Sequence, residues 1–469
     1  MQGFINPPTN MKRREFIKAS ILSTGAVALT NCKSPTATDP AVAPAYDGTV
    51  AIIGAGAAGL YAGFLLQQQN VNYTIFEASD VVGGRIKALK GFADFDIELG
   101  AEEIYGKKST WYDIVKAANP TFLDPTKQID YYQIGNQLKS EDLWKTDVDF
   151  TAAQNMVTQA ENYVGAADIT LQQLMDNNRL PARVQHIVNA KVANEAGTSA
   201  TRLSVKGLSE EVLLQSSGSE VLEIAGKSLL SILQDKCKDV LPKVRLNSPI
   251  VKIDYSQQKI TLEDTQGNKL PFDKVIITVP LPILQNNLLK FTPDLPAAKT
   301  IAFTKIGMGA GVKVVLQFTK AFWAANTGSI YGTGTVPEYI VTSEGRSTQT
   351  FILTAVAMGV RAETIISRGA NAVSSLVTEL DNIYGRGVAS GVLKNGSVMD
   401  WSKEPYIRGA YSFPIVGGGG AFRQDLSQSV LRKLYFAGEA THYGGHNGTV
   451  HGAIETAQRA VTELIKDTK

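Results

Sequence analysis

The apolar positions fall into short β-branched runs, alternating runs and longer amphipathic stretches, and their order predicts an α/β fold. Residues 50–53, Val-Ala-Ile-Ile, have the composition of a buried parallel strand. Residues 60–69 continue as a helix, and residues 73–76 form a second apolar run that ends on Glu77. Helical patterns then dominate to about residue 214, at 110–118, 151–166, 171–178 and 181–195. A Gly-Ser turn and a helix fill 218–241. Short alternating runs at 244–246, 250–255, 259–263 and 273–279 suggest a small antiparallel unit that returns to the parallel sheet. Strand-like runs recur at 311–318, 350–356 and 392–401, around an amphipathic helix at 371–383, which reads as an antiparallel sheet backed by helices. A last strand and turn at 434–441 precede a long helix at 450–466.

Between the first strand and the first helix, Gly54, Gly56 and Gly59 stand at G-x-G-x-x-G spacing, with Ala58 in the same loop. Gly54 suits the tight turn, Gly56 a close approach to a pyrophosphate, and Gly59 the packing of helix on strand. The helix N-terminus then points unpaired N–H groups at the phosphates. Glu77 lies roughly twenty residues past the loop, where a carboxylate accepts hydrogen bonds from ribose hydroxyls. The plainer reading is a chance glycine-rich turn; the strand before and helix after it favour a dinucleotide site.

Composition narrows the class. The chain has 469 residues, enough for two or three sizeable cores. A net charge of +2 points to no nucleic-acid partner. Two cysteines, Cys32 and Cys237, make no disulfide framework or thiolate metal site, and the four histidines show no H-E-x-x-H spacing. The first residues read as targeting. Met11-Lys12-Arg13-Arg14-Glu15-Phe16-Ile17-Lys18 resembles a twin-arginine export signal, followed by a modest apolar run at 21–29. Leu29-Thr30-Asn31-Cys32 is similar to a lipoprotein cleavage box, although Asn31 departs from the usual small residue. Residues 33–46 have the composition of a mobile tether. The expectation is therefore an exported protein on the periplasmic or envelope side, handled by the twin-arginine machinery and tethered through a lipidated Cys32; the alternative is a plain cleaved signal.

Further motifs give the loop its partners. Gly83-Gly84-Arg85 combines close backbone approach at Gly84 with a guanidinium for a phosphate. Gly100-Ala101, in Glu98-Leu99-Gly100-Ala101, is a small-residue step against which a flat ring can lie. Together with the glycine loop and Glu77, these resemble the flavin-dependent amine oxidase family, which includes monoamine, polyamine and L-amino-acid oxidases. The resemblance implies FAD, a Rossmann-like domain of the glutathione-reductase kind, and an inserted α+β substrate domain. It divides the chain into signal and linker (1–46), three cofactor-domain pieces (47–106, 216–290, 426–469) and two substrate-domain pieces (107–215, 291–425). It sets the backbone of Val251 against the adenine, the alternative being a plain core valine. It also sets Gly438 and Glu439 at the ribityl chain, and Thr449-Val450 at the flavin pyrimidine edge, where a helix N-terminus stabilises negative charge.

On spacing alone, Lys313 reads as a lysine on a solvated strand face. The resemblance implies instead that it reaches a water at flavin N5 and assists reaction with O2. Trp401 and Tyr411 match the flavin tryptophan and substrate-facing tyrosine of the monoamine oxidases; otherwise both are core residues. Ala410 stands where that subgroup has its flavin-linked cysteine, so FAD is expected to be non-covalent. Thr449 replaces a second tyrosine, leaving the aromatic slot half-open unless His446 or His451 completes it. Amino-acid oxidases place an arginine near Glu103 and Tyr105; an acid there would favour a cationic amine, unless it merely faces the ribityl chain or solvent. The expected activity is FAD-dependent oxidation of an amine to an imine by O2. An L-amino-acid oxidase using Arg346, Arg361 or Arg408, a C–C desaturase and a non-catalytic flavin module are the alternatives.

Overall fold

The computed structural model describes residues 45–468. The stretch expected to be an export signal, with Cys32, lies outside the described residues. Distant segments meet in a five-stranded sheet, in spatial order Val244–Arg245, Asn72–Phe76, Thr49–Ile53, Lys274–Ile277 and Leu434–Phe436. All neighbours are parallel. Successive residues of a strand point to opposite faces, and both faces here are covered. Val50 and Ile52 pack with Leu60, Leu66, Ile454 and Ala457, from the helices Ala57–Gln68 and Val450–Lys466. Ala51 and Ile53 pack on the other side with Ile253 and Leu262. Those two residues belong to a four-stranded sheet, Lys269–Phe272, Ile260–Asp264, Ile250–Asp254 and Lys290–Thr292. Its first three strands are antiparallel neighbours and the last pairs in parallel.

A seven-stranded sheet forms the wall opposite the glycine loop. Its order is Leu393–Asp400, Gly311–Phe318, Phe351–Met358, Glu338–Ile340, Thr327–Tyr331, Ile129–Ile134 and Gln137–Ser140. The last two strands correct the expectation that 107–215 is helical. Burial alternates along Ile129–Ile134, and Gly135-Asn136 turns the chain, with Gly135 at φ +59°. The solvated face expected for 311–318 is also corrected: all eight residues of Gly311–Phe318 are buried. The helix expected over 181–195 runs only from Ala182 to Val188 and continues as a wider π-type turn, Asn189–Asn194. Among the described residues, no helix is long and apolar enough to cross a membrane.

Candidate active site

A cavity of about 1200 Å³ runs from the glycine loop to the seven-stranded sheet. It exceeds the roughly 300–1,000 Å³ of a small-ligand pocket, so it has room for a dinucleotide with a substrate beyond it. At the nucleotide end, Gly54 adopts φ +105°. A Cβ on Gly59 would lie 1.9 Å from the Gly54 carbonyl oxygen, so only glycine lets the helix seat there. Ala58 lies in the first turn of that helix, which has no side-chain cap, leaving N–H groups for an anion. Gly56 bridges Gly83, and a Cβ on Gly84 would come within 3.3 Å of the Gly56 Cα. Glu77 accepts from the Ala55 N–H at 2.7 Å and from the Ser79 N–H and hydroxyl at 2.9 Å. A carboxylate offers about four acceptor positions, so one on Oε2 remains for a ribose hydroxyl. Val251 lines the cavity at a register shift between Ile250 and Lys252, so its main chain is released from the ladder beside it.

Arg85 lines the cavity, with one of its guanidinium nitrogens committed to the protein. Its Nη1 donates to Glu439 at 2.9 Å and to the Ala410 carbonyl at 2.8 Å, so this nitrogen braces protein rather than phosphate. Glu439 also accepts from the Ser412 hydroxyl at 2.6 Å and the Gly448 N–H at 2.8 Å. Burial opposes its charge, but Arg85, Ser412 and Arg423 outweigh burial and hold the carboxyl below its ordinary value. Arg423 is itself buried and paired with Glu211 at 2.9 Å. Gly438, at φ +120°, donates its N–H to Thr456 of the last helix at 2.9 Å.

At the ring end, a Cβ on Gly100 would lie 1.8 Å from the Arg85 carbonyl oxygen and 3.0 Å from the Trp401 ring. Ala101 donates its N–H to that carbonyl at 3.1 Å. Trp401 is fixed by its Nε1 donating to the Leu99 carbonyl at 2.9 Å. Lys313 donates to the Glu98 carbonyl at 3.1 Å and to Glu102 at 2.6 Å. Its ammonium has three N–H groups, which leaves one for the cavity. Glu102, also in the cavity lining, is committed to Lys313, which leaves Glu103 as the acid of this stretch that the sequence set toward a substrate. Behind the pair, burial pushes the Glu98 carboxyl up to about 8; its Oε1 accepts from the Leu229 N–H at 2.6 Å.

The substrate end carries the other sequence candidates. Tyr105, 39% exposed and open to the cavity, donates to Glu103. Tyr411 donates to the Glu195 carbonyl at 2.9 Å. Gly197 and Gly448 make room for its ring, since a Cβ there would lie 2.6 Å and 3.0 Å from it. Thr449 lines the cavity, but its hydroxyl is committed within the chain: it donates to the His446 carbonyl at 2.6 Å and accepts from the Gly452 N–H at 3.0 Å. That hydroxyl caps the last helix, so Thr449 and Val450 meet the cavity as a helix N-terminus. Arg346 and Arg361 lie outside the cavity lining and donate to backbone carbonyls, whereas Arg408 lines it. Sequence reasoning missed Asp130, Glu195 and Glu338, three further carboxylates in the cavity wall. Lys191 faces the stacked rings of Tyr132 and Tyr331, at 5.2 and 5.4 Å. Asp130 interrupts a mostly apolar and aromatic run, a signal that could have flagged it; Glu195 and Glu338 had none.

The comparisons agree with this geometry. A family model described as "Flavin containing amine oxidoreductase" matches residues 57–465, and the chain belongs to that family. Lysine-specific histone demethylase 2 of Homo sapiens is 24% identical over 482 residues, 97% of this chain and 56% of that protein. Polyamine oxidase 4 of Oryza sativa subsp. japonica is 24% identical over 477 residues, 95% of this chain and 92% of that one. The solved structure of a putrescine oxidase redesigned in its cofactor binding superposes with a TM-score of 0.76 at 17% identity, covering 90% of this chain and 99% of that one. At that identity the match establishes the fold. The chain spans about half the length, or less, of the histone demethylases it matches. The glycine cradle, the free acceptor on Glu77 and the Gly100 step fit FAD, which is the cofactor.

Proposed function

We propose that the protein is an FAD-dependent oxidase of cationic amines, with a diamine or polyamine preferred over an amino acid. One observation carries the reading: Glu103, Asp130, Glu195 and Glu338 line the cavity and outnumber Lys191, the cation over the Tyr132 and Tyr331 rings, so this wall is net acidic. Such walls attract a distal ammonium and repel a substrate carboxylate. The polyamine oxidase and putrescine oxidase among the relatives support it. Bound FAD supplies two-electron oxidation of the amine α-carbon and passes the electrons to O2, giving hydrogen peroxide and an imine that water hydrolyses.

The chain's own residues bind and orient. Tyr105 and Tyr411 offer aromatic walls for the reacting amine, with Trp401 fixed behind the ring site. The acids hold the remote nitrogen as its cation, so the reacting nitrogen can be the neutral one. Lys313, anchored by Glu102 and the Glu98 carbonyl, keeps one N–H directed to the cavity, where oxygen reduction requires positive charge. Among the described residues no cysteine lines the cavity, which supports non-covalent FAD; Cys237 is buried elsewhere, its thiol pushed up to about 12. Export on the twin-arginine route, with a lipid tether at Cys32, is proposed from the sequence alone. The deciding measurement is peroxide release across monoamines, diamines, polyamines and amino acids. Fastest turnover of an amino acid overturns the substrate class, and bound flavin with no turnover leaves a binding module. Glu195→Gln should raise KM for the best diamine about 10- to 100-fold, the worth of a hydrogen bond to a charged group, with a smaller effect on a monoamine.

A further inference from the structure

Beside the flavin end lies a second cluster of titratable groups, to which the reaction assigns no role. Glu455, on the last helix, accepts through one oxygen from both His442 Nε2 at 2.8 Å and His446 Nδ1 at 3.0 Å. The opposite nitrogen of each ring faces backbone N–H groups, which can only donate. His442 Nδ1 takes those of Gly444 at 3.2 Å and His446 at 3.1 Å. His446 Nε2 takes that of Ser216 at 3.2 Å. Each accepting nitrogen must be bare, so each ring carries its proton toward Glu455. Both tautomers are therefore fixed, and both rings are neutral.

The three ligand-type atoms lie within 4.8 Å of one another, a spacing that suits a divalent metal. The hydrogen bonds argue against one. A metal on His442 Nε2 or His446 Nδ1 would drive the ring proton onto the nitrogen that faces backbone donors, setting N–H against N–H.

We propose that Glu455 is a positioning residue: with His442 and His446 it clamps the 442–449 loop to the flavin end of the cavity, and proton uptake by the His442 ring opens the clamp. The loop has much to position. Gly448 supplies an N–H to Glu439, Asn447 donates to Glu211 at 3.2 Å, and Thr449 caps the helix from the His446 carbonyl. Ser216 ties in the segment that follows the helix Val205–Leu214. A proton on His442 Nδ1 would expel two backbone N–H groups. The charged and titratable groups facing the clamp are Glu455, Arg459 and His451 on the last helix, Tyr443 in the loop, and Glu211 with Arg423 across it. Burial works against charge on His442, Glu455 favours it, and His446 and Arg459 oppose it. The His451 ring packs edge-on against His446, with centroids 4.4 Å apart.

The inference rests on the FAD reading of the cavity but not on the amine reading, because its test needs no turnover. Amide hydrogen exchange at Ser216, Gly444 and His446 would be followed in the FAD-loaded enzyme from pH 8 to pH 5, the window in which histidine titrates. Protection factors should fall together by about tenfold or more toward acid, with FAD release, read by flavin fluorescence, accelerating in step. Glu455→Gln keeps an acceptor oxygen but removes the charge that favours the imidazolium, so both transitions should move to lower pH. Glu455→Ala should lose protection across the whole range; if it does not fold, Glu455→Gln carries the test. An unchanged or higher transition pH in Glu455→Gln overturns the proposal. So does opening of the amides without faster FAD release, or stoichiometric retention of Zn²⁺ at pH 7.5 by the wild-type protein.

Discussion

The Lys313–Glu102 pair is buried, at 7% and 10% side-chain exposure, so removing one partner strands a charge. Lys313→Met should cost about 3–5 kcal/mol of stability on that account. It should also slow reoxidation of the reduced flavin by O2, measured by stopped-flow mixing after anaerobic reduction. The double variant Lys313→Met, Glu102→Gln should recover most of the stability but not the oxygen rate; recovery of both would make the lysine purely structural. Glu98 adds a pH dependence of its own. Its folded carboxyl titrates at about 8, above the ordinary 4.5. The stability it supports is complete below pH 4.5 and is lost as pH rises through 8. Glu98→Gln should therefore gain thermal stability relative to wild type between pH 5 and pH 9, and a constant difference in Tm across that range would refute the assignment. These pairings were not legible in the sequence. Lys313 sits in a strand whose alternation suggested a solvated face, and only the sheet's second covered side makes it buried. Glu195 and Glu338 are likewise brought to one wall by tertiary packing, which no local spacing encodes.

Elements whose role is set by contacts within a few turns of chain were legible. The loop from Gly54 to Gly59, the strand ending at Glu77 and the helix from Val450 all carry their signals locally. Gly59→Ala should abolish flavin retention, read as loss of visible absorbance in the purified protein, because its Cβ has no room beside the Gly54 carbonyl. Retention of a full complement of flavin would show that the helix can shift at no cost. Less legible was the hairpin Ile129–Ile134 and Gln137–Ser140. It lies among helices, and its partner strand Thr327–Tyr331 is distant in sequence, so nothing nearby in the chain marks where it pairs. The π-type turn Asn189–Asn194 was equally hidden, since its apolar spacing continues that of the helix before it. That turn leads into Glu195 and Gly197, which meet Tyr411.

Taken whole, the molecule builds one site from widely separated chain segments. Glu77, Arg85, Val251, Lys313, Tyr411 and Glu439 all line the same cavity. A ligand that binds only the assembled form stabilises every segment at once. FAD at 100 times its Kd should add about 2.7 kcal/mol, visible as a higher Tm for reconstituted than for flavin-free protein, with a single transition. Two transitions, of which FAD moves only one, would show that the segments fold independently. The strand order has a further consequence. Leu434–Phe436 pairs with Lys274–Ile277, next to the Thr49–Ile53 strand that opens the glycine loop. The ribosome reaches the later strand roughly 400 residues after the loop, or about 20–80 s at typical synthesis rates. For that interval the phosphate cradle exists without the helix that meets the flavin, so cofactor capture is an event of the finished chain rather than of translation.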